Sequence, residues 1–210
     1  MKNNIFLIII SLVTIISFTI IFSSTIAFAQ SANQTSSLPL QSQQQQNSFC
    51  KLTESDMLGP FYKEGAPFKQ TLSEGVEGER LIITGKVIDT RCQPVKNVVL
   101  DIWQANSTGE YDNEGFTLRG KVKTDDNGNY IIDTIVPQEY AVGDINRPSH
   151  IHLKVGAPNQ PTLTTQLYFE GDPNLTGRED KSLIMKVTED NNGTKKANFD
   201  FVIEYLANLF

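Results

Sequence analysis

The 210-residue chain carries 18 Lys and Arg against 24 Asp and Glu, a formal net charge of −6. That mild acidity, with no basic cluster, argues against nucleic acid as a partner and is ordinary for an exported protein. The length suits one domain with its own core, and with 2 His and 2 Cys the supply of imidazole and thiolate ligands is small.

Lys2 precedes an apolar run from Ile5 to Phe22, and Ala27-Phe28-Ala29 offers a small-x-small cleavage site before Gln30. Residues 1–29 therefore read as an export signal. The run is close to a membrane-spanning length, so an uncleaved anchor is the alternative and the only expected link to a membrane. Residues 30–48 are mostly Gln, Ser, Asn and Thr, with too little to bury, and read as a flexible linker. Residues 49–210 are expected to form a single domain, secreted or held at the outer face of the membrane. Cys50 and Cys92 are expected to pair in an oxidising compartment, closing a loop worth about 4 kcal/mol on the chain-entropy estimate. Two thiolate metal ligands are the poorer reading, since Cys50 sits at the domain's edge. Asn33, Asn106, Asn174 and Asn192 each open an Asn-x-Ser/Thr triplet, which matters only in a host that glycosylates.

The rest reads as β almost throughout. Arg80–Asp89 is a strand broken by Gly85, Val95–Trp103 and Thr117–Thr124 follow, and Asp125-Asp126-Asn127-Gly128 is a tight turn into Tyr130–Val136. Ile151–Val155 and Thr164–Phe169 continue the series. Leu183–Thr188 and Asn198–Tyr205 flank Asn191-Asn192-Gly193 as a closing hairpin, and Ser55–Leu58 is a candidate turn. Short strands at this spacing predict a β-sandwich or barrel with no amphipathic helix. On these segments alone, a passive adhesion or carbohydrate-binding module is the better reading.

The chemistry is concentrated in Arg147-Pro148-Ser149-His150-Ile151-His152, which holds both histidines. On a strand, positions i and i+2 share a face, a little under ~7 Å apart, a spacing that suits two imidazoles gripping one metal ion. Carboxylate or tyrosinate must complete such a site. Tyr111, in Thr108-Gly109-Glu110-Tyr111, and Tyr140, after Val136-Pro137-Gln138-Glu139, both fall on loops. Tyrosines in a β-sandwich more often pack the ring and tip the hydroxyl to water. A phenol ionises only near pH ~10, so a tyrosinate ligand points to a hard trivalent cation. Imidazole suits iron equally. A two-His zinc or copper site is the alternative.

Together these segments resemble the intradiol ring-cleavage dioxygenases, the family of protocatechuate 3,4-dioxygenase and catechol 1,2-dioxygenase. The matching motifs are Gly59-Pro60-Phe61-Tyr62, Asp101-Ile102-Trp103-Gln104-Ala105, Gly109-Glu110-Tyr111, Leu118-Arg119-Gly120, Thr124-Asp125 through Tyr130, Thr134-Ile135-Val136-Pro137 to Tyr140, the Arg147–His152 stretch, and Leu163–Phe169. The resemblance implies a β-sandwich with non-haem Fe(III) held between its loops by Tyr111, Tyr140, His150 and His152. Tyr140 would be the axial tyrosinate that leaves when substrate binds and accepts a proton. Arg147 and Gln166 fall on the family's active-site arginine and glutamine, with Arg147 also facing substrate; Pro60 and Tyr62 fall near the substrate-pocket wall. The implied reaction is cleavage of a catechol-type aromatic by O2 to a cis,cis-muconate-type diacid. The chain departs from the pattern at Gln104, where many members have His, and at Gln138-Glu139, where a glycine-containing turn is usual. It looks nearer the protocatechuate type or the compact exported type, and a homo-oligomer would be compatible with that, without the family's usual dimer interface being implied.

Overall fold

The computed structural model describes residues 49–206 except Asp144. The segments expected to be an export signal and a linker, and the Asn33 triplet, lie outside the described residues. The strands are β1 (Arg80–Asp89), β2 (Val99–Gln104), β3 (Arg119–Lys123), β4 (Asn129–Ile135), β5 (Tyr140–Val142), β6 (Ile145–Arg147), β7 (His150–Gly156), β8 (Leu163–Phe169), β9 (Ile184–Met185), β10 (Thr188–Glu189), β11 (Lys195–Asn198) and β12 (Phe201–Ile203). The only helical element among the described residues is a 3-10 turn, Lys181–Leu183.

Two sheets pack face to face. In the first, β1 pairs antiparallel with β4 and parallel with β11 and then β12, and β10 adds to β11. In the second the order is β3-β2-β7-β8-β9. The core between them takes Leu81, Ile83 and Val87 from β1 and Leu100, Ile102, Ile151, Leu153 and Leu167 from β2, β7 and β8, all buried. Alternation along a strand then turns the intervening residues of the second sheet to its outer face. On β7 these are His150, His152 and Lys154, on β2 Asp101 and Trp103, and on β8 Gln166 and Tyr168. This outer face is itself largely covered, and the functional side chains lie there.

Several expectations need correction. Gly85 does not break β1, which runs through it with Gly85 paired to Tyr130. The glycine is needed because a Cβ there would stand 1.8 Å from the Phe199 carbonyl oxygen. That close crossing instead breaks the expected Asn198–Tyr205 strand into β11 and β12, with Phe199 N–H donating to the Thr84 carbonyl and Lys86 N–H to Asp200. The expected Val95–Trp103 strand begins only at Val99, and Leu183–Thr188 is divided between β9 and β10. No turn forms at Ser55–Leu58; it falls at Pro60–Phe61. The turns at Asp125–Gly128 and around Asn191–Gly193 form as expected, the latter joining β10 to β11.

Cys50 and Cys92 form a disulfide with 5.3 Å between Cα atoms. It ties down a strap, Cys50–Met57, that runs along the edge of β8. Asp56 N–H donates to the Thr164 carbonyl at 2.9 Å, the Thr165 hydroxyl to the Glu54 carbonyl at 2.8 Å, and Thr53 N–H to the Val202 carbonyl at 3.0 Å.

Candidate metal centre

Strand register assembles the site. Trp103 is the cross-strand partner of both Arg119 and His152, and His152 is the partner of Gln166. Arg119, Trp103, His152 and Gln166 therefore form one row across β3, β2, β7 and β8. His150 pairs with Tyr168 in the next row on the same face. Tyr140 and Arg147 enter from a short hairpin, β5–β6, in which they are direct partners. Sequence reasoning did not foresee that hairpin, since both strands have only 3 residues.

The two imidazole Nε2 atoms lie 3.0 Å apart, and the Tyr111 hydroxyl lies 3.4 Å from His150 Nε2. The Tyr140 ring sits edge-on to Tyr111, 5.5 Å between centroids, and 5.5 Å from the His150 ring. All four residues are buried. His150 Nδ1 lies 2.6 Å from the Pro148 carbonyl oxygen. That oxygen can only accept, so Nδ1 carries the hydrogen and the Nε2 lone pair is turned towards His152 and Tyr111. Burial pushes His150 down to about 4 and, with the charge of His150, pushes His152 down to about 2. Both imidazoles are thus neutral at neutral pH and keep lone pairs to donate.

Burial pushes the Tyr111 phenol well above its usual range, with Tyr140 adding to the effect and Arg147 and Arg119 opposing it. Burial also raises Tyr140, again opposed by Arg147. In the protein alone both phenols stay protonated. A phenolate here requires a strong positive charge at the site. Among the described residues no group of three or more His, Cys, Asp and Glu gathers to hold a metal. The donors gathered here are two neutral imidazoles and two phenols, and a set of that chemistry would suit a hard, trivalent cation such as Fe(III) better than zinc or magnesium.

Glycines allow the loops to close over this face. Gly109 has φ +82°, and a Cβ on it would lie 2.5 Å from the Glu139 carbonyl oxygen and 3.5 Å from Tyr140 Cβ. The Tyr111 and Tyr140 loops touch there, and Gln138 N–H donates to the Asn106 carbonyl at 3.0 Å. Gly59 has φ +70°, and a Cβ would lie 2.9 Å from His152 Cε1, so bare backbone packs over that ring.

Arg147 reaches Gln166, donating from Nη2 to Oε1 at 3.0 Å. Tyr62 packs against Trp103 and donates its hydroxyl to Asp101 Oδ2 at 3.2 Å, and burial helps push it up to about 12. Pro60 is exposed in its turn. Between them, Phe61 stacks on Tyr111 at 4.3 Å and meets Tyr140 edge-on at 5.6 Å. Sequence reasoning passed over Phe61, and gave no role to Trp103 or Arg119 although both stand in quoted motifs. Trp103 lies flat on His152, and the buried Arg119 donates to the carbonyls of Phe61 at 2.6 Å and Asp112 at 2.7 Å. Only register and contact could have revealed them. Gln104 faces the core instead, donating to the Ile135 carbonyl and accepting from the Thr134 hydroxyl.

The profile of a family described as Dioxygenase matches residues 57–205. A 6-chlorohydroxyquinol 1,2-dioxygenase of Cupriavidus pinatubonensis is 32% identical over 177 residues, 72% of this chain and 64% of that protein. A chlorocatechol 1,2-dioxygenase of Rhodococcus opacus is 29% identical over 187 residues, 73% of each chain. The chain thus spans 64% and 73% of the length of these two relatives, under two thirds of the first. The dioxygenase domain of a dioxygenase–carbohydrate-binding fusion from Streptomyces sp. SirexAA-E superposes with a TM-score of 0.69 at 37% identity, covering 74% of this chain and 100% of that one. The profile match, these relatives and the shared sheet-rich fold agree: the chain belongs to the intradiol dioxygenase family.

Proposed function

We propose that this protein is an exported Fe(III)-dependent dioxygenase that cleaves a catechol-type aromatic between its two hydroxyl-bearing carbons. The observation that carries this reading is the gathering of Tyr111, Tyr140, His150 and His152 into one buried cluster, from one loop, the β5–β6 hairpin and strand β7. These four side chains would hold the iron. The relatives named as catechol-type 1,2-dioxygenases support the substrate class.

When bound, ferric iron supplies Lewis acidity that draws electron density from a chelated catechol and opens its ring to O2. The chain's own residues supply the rest. Tyr140, on the short β5–β6 hairpin, would give way to substrate and take a hydroxyl proton on its phenolic oxygen. Tyr111, wedged between Phe61 and the loop that Arg119 ties down, stays in place. Arg147 stabilises the negative charge that develops on the ring. Phe61, with Pro60 and Tyr62 beside it, lines the approach and excludes water. Adding both atoms of O2 across the broken bond converts the diol into a cis,cis-muconate-type diacid without any external reductant.

The decisive experiment is oxygen uptake and product analysis against a panel of catechols, with iron content and visible absorption measured alongside. An intense tyrosinate-to-iron charge-transfer band, weakened or lost in Tyr111→Phe, is expected. A colourless, iron-free and inactive protein after supply of iron would indicate a binding module that kept only the scaffold. Arg147→Ala should keep iron and lose turnover.

A further inference from the structure

The strap that precedes the first family motif reaches the candidate site through the Asp56 carboxylate and the Met57 carbonyl. Asp56 Oδ2 accepts from the Tyr168 hydroxyl at 2.9 Å, and Asp56 Oδ1 lies 3.3 Å from Gln166 Nε2. Gln166 and Tyr168 are alternate residues on β8, and they are the cross-strand partners of His152 and His150. One strap residue thus touches both side chains that back the two imidazoles.

We propose that Asp56 is a positioning residue for the ring-cleavage reaction, orienting the Gln166 amide so that its oxygen faces Arg147. The inference rests on the functional reading above. A glutamine amide can sit in its pocket either way round, and the surrounding donors and acceptors decide which. Here Nε2 meets two groups that only accept: the Asp56 carboxylate and the Met57 carbonyl, the latter at 2.8 Å. Oε1 is then left to receive Arg147 Nη2 at 3.0 Å. In the flipped amide, NH2 would meet the guanidinium, donor against donor, and Oε1 would meet the carboxylate.

Tyr168 is held by the same carboxylate. Its hydroxyl stands 2.9 Å from Asp56 Oδ2 and 3.2 Å from Gln166 Oε1. It has one hydrogen to give, and once that goes to the carboxylate it offers no donor to Oε1. The orientation of Gln166 is therefore selected by Asp56 and Met57 at Nε2 and by Arg147 at Oε1. Held in this way, Arg147 lies beside its hairpin partner Tyr140 with its guanidinium oriented before substrate arrives. Such preorganisation lowers the barrier in the reaction rather than strengthening substrate binding.

The test compares Asp56→Leu, Asp56→Asn, Gln166→Ala and the double variant Asp56→Leu/Gln166→Ala in the full iron-loaded enzyme. Asp56→Leu is expected to lower kcat by about tenfold to a hundredfold, with KM and the charge-transfer band near wild type. Asp56→Asn, which retains an acceptor oxygen, is expected to recover part of the loss. In the double variant the Asp56 change should cost nothing beyond Gln166→Ala alone, because it acts through that amide. A second readout needs no iron: in the metal-free protein, the Gln166 side-chain amide signals in 15N-glutamine-labelled material should shift and broaden in Asp56→Leu. Full turnover in Asp56→Leu, or additive losses in the double variant, would overturn the proposal. So would a loss confined to melting temperature and soluble yield. An inactive wild type would instead refute the reading on which it rests, and the amide signals would still judge the orientation of Gln166.

Discussion

The indole of Trp103 lies flat against the imidazole of His152, with 4.9 Å between centroids and 4° between planes. The two residues are cross-strand partners on β2 and β7, so the stack is set by strand register. It packs one face of the ring of a candidate iron ligand. Trp103→Ala should lower iron affinity by roughly 10- to 100-fold, the usual consequence of losing an outer-layer support. It should also destabilise by about 3–5 kcal/mol, as for a buried aromatic truncation. Trp103→Phe, which keeps a stacking ring, should retain most of the iron. Metal analysis after dialysis and thermal unfolding check both figures.

Arg119 is the second such support. Its guanidinium bridges the carbonyls of Phe61 and Asp112 and lies 5.8 Å from the Tyr111 ring. Arg119→Met would leave two half-buried carbonyls without this donor and should cost about 1–2 kcal/mol. Because Phe61 and Asp112 flank the Tyr111 ring and its backbone, a shifted charge-transfer maximum in the iron-loaded variant is the expected signature. An unmoved maximum would mean that Tyr111 is held by other contacts.

Gly109→Ala would place a methyl against the Glu139 carbonyl in a backbone conformation that disfavours side chains. The Tyr111 and Tyr140 loops must then separate. A loss of about 1–3 kcal/mol is expected from strain, together with weaker iron retention. Gly143→Ala provides the control: it also has positive φ, +61°, but a Cβ there meets nothing within 4 Å. It should show a strain penalty with no steric push on the tyrosines.

The Cys50–Cys92 disulfide closes a loop with a sequence separation of 42. Replacing both cysteines by serine should lower stability by about 4 kcal/mol on the chain-entropy estimate. The strap carrying Asp56 would lose its covalent anchor, so turnover should fall more steeply with temperature than in wild type. Denaturant unfolding and the temperature profile of kcat report the two effects separately.

Asp125 holds the β3–β4 turn. Its carboxylate accepts the Asn129 side-chain amide and the backbone N–H groups of Asn127 and Asn129, which hold it below the usual carboxylate range. A carboxyl with a depressed folded-state pKa contributes stability that is present above its unfolded value, ~3.9, and lost as pH falls through the folded value. Asp125→Ala should therefore lower the melting temperature at pH 7, and the gap to wild type should narrow as pH falls below about 4. A gap independent of pH would show that the carboxylate's charge contributes nothing to the turn.

Periodicity and the Asn-Gly turns were enough for an all-β sandwich or barrel, because half-buried strands alternate and such turns mark their ends, and the family resemblance chose the sandwich. The His-x-His spacing put both imidazoles on one face, since β geometry allows no other outcome on a strand. The motif resemblance pointed to Tyr111 and Tyr140, and the disulfide followed from two cysteines in a chain read as exported. Tertiary structure decided the rest. Gly85 looked like a break, and is instead the place where the Phe199 carbonyl crosses a continuous strand. Trp103 and Arg119 support the site because register sets them beside His152 in one row, and register depends on which strands pair across long separations in sequence. Asp56 reaches Gln166 and Tyr168 across more than a hundred residues of chain. No local pattern encodes such a contact: it exists only once the strap is laid along β8.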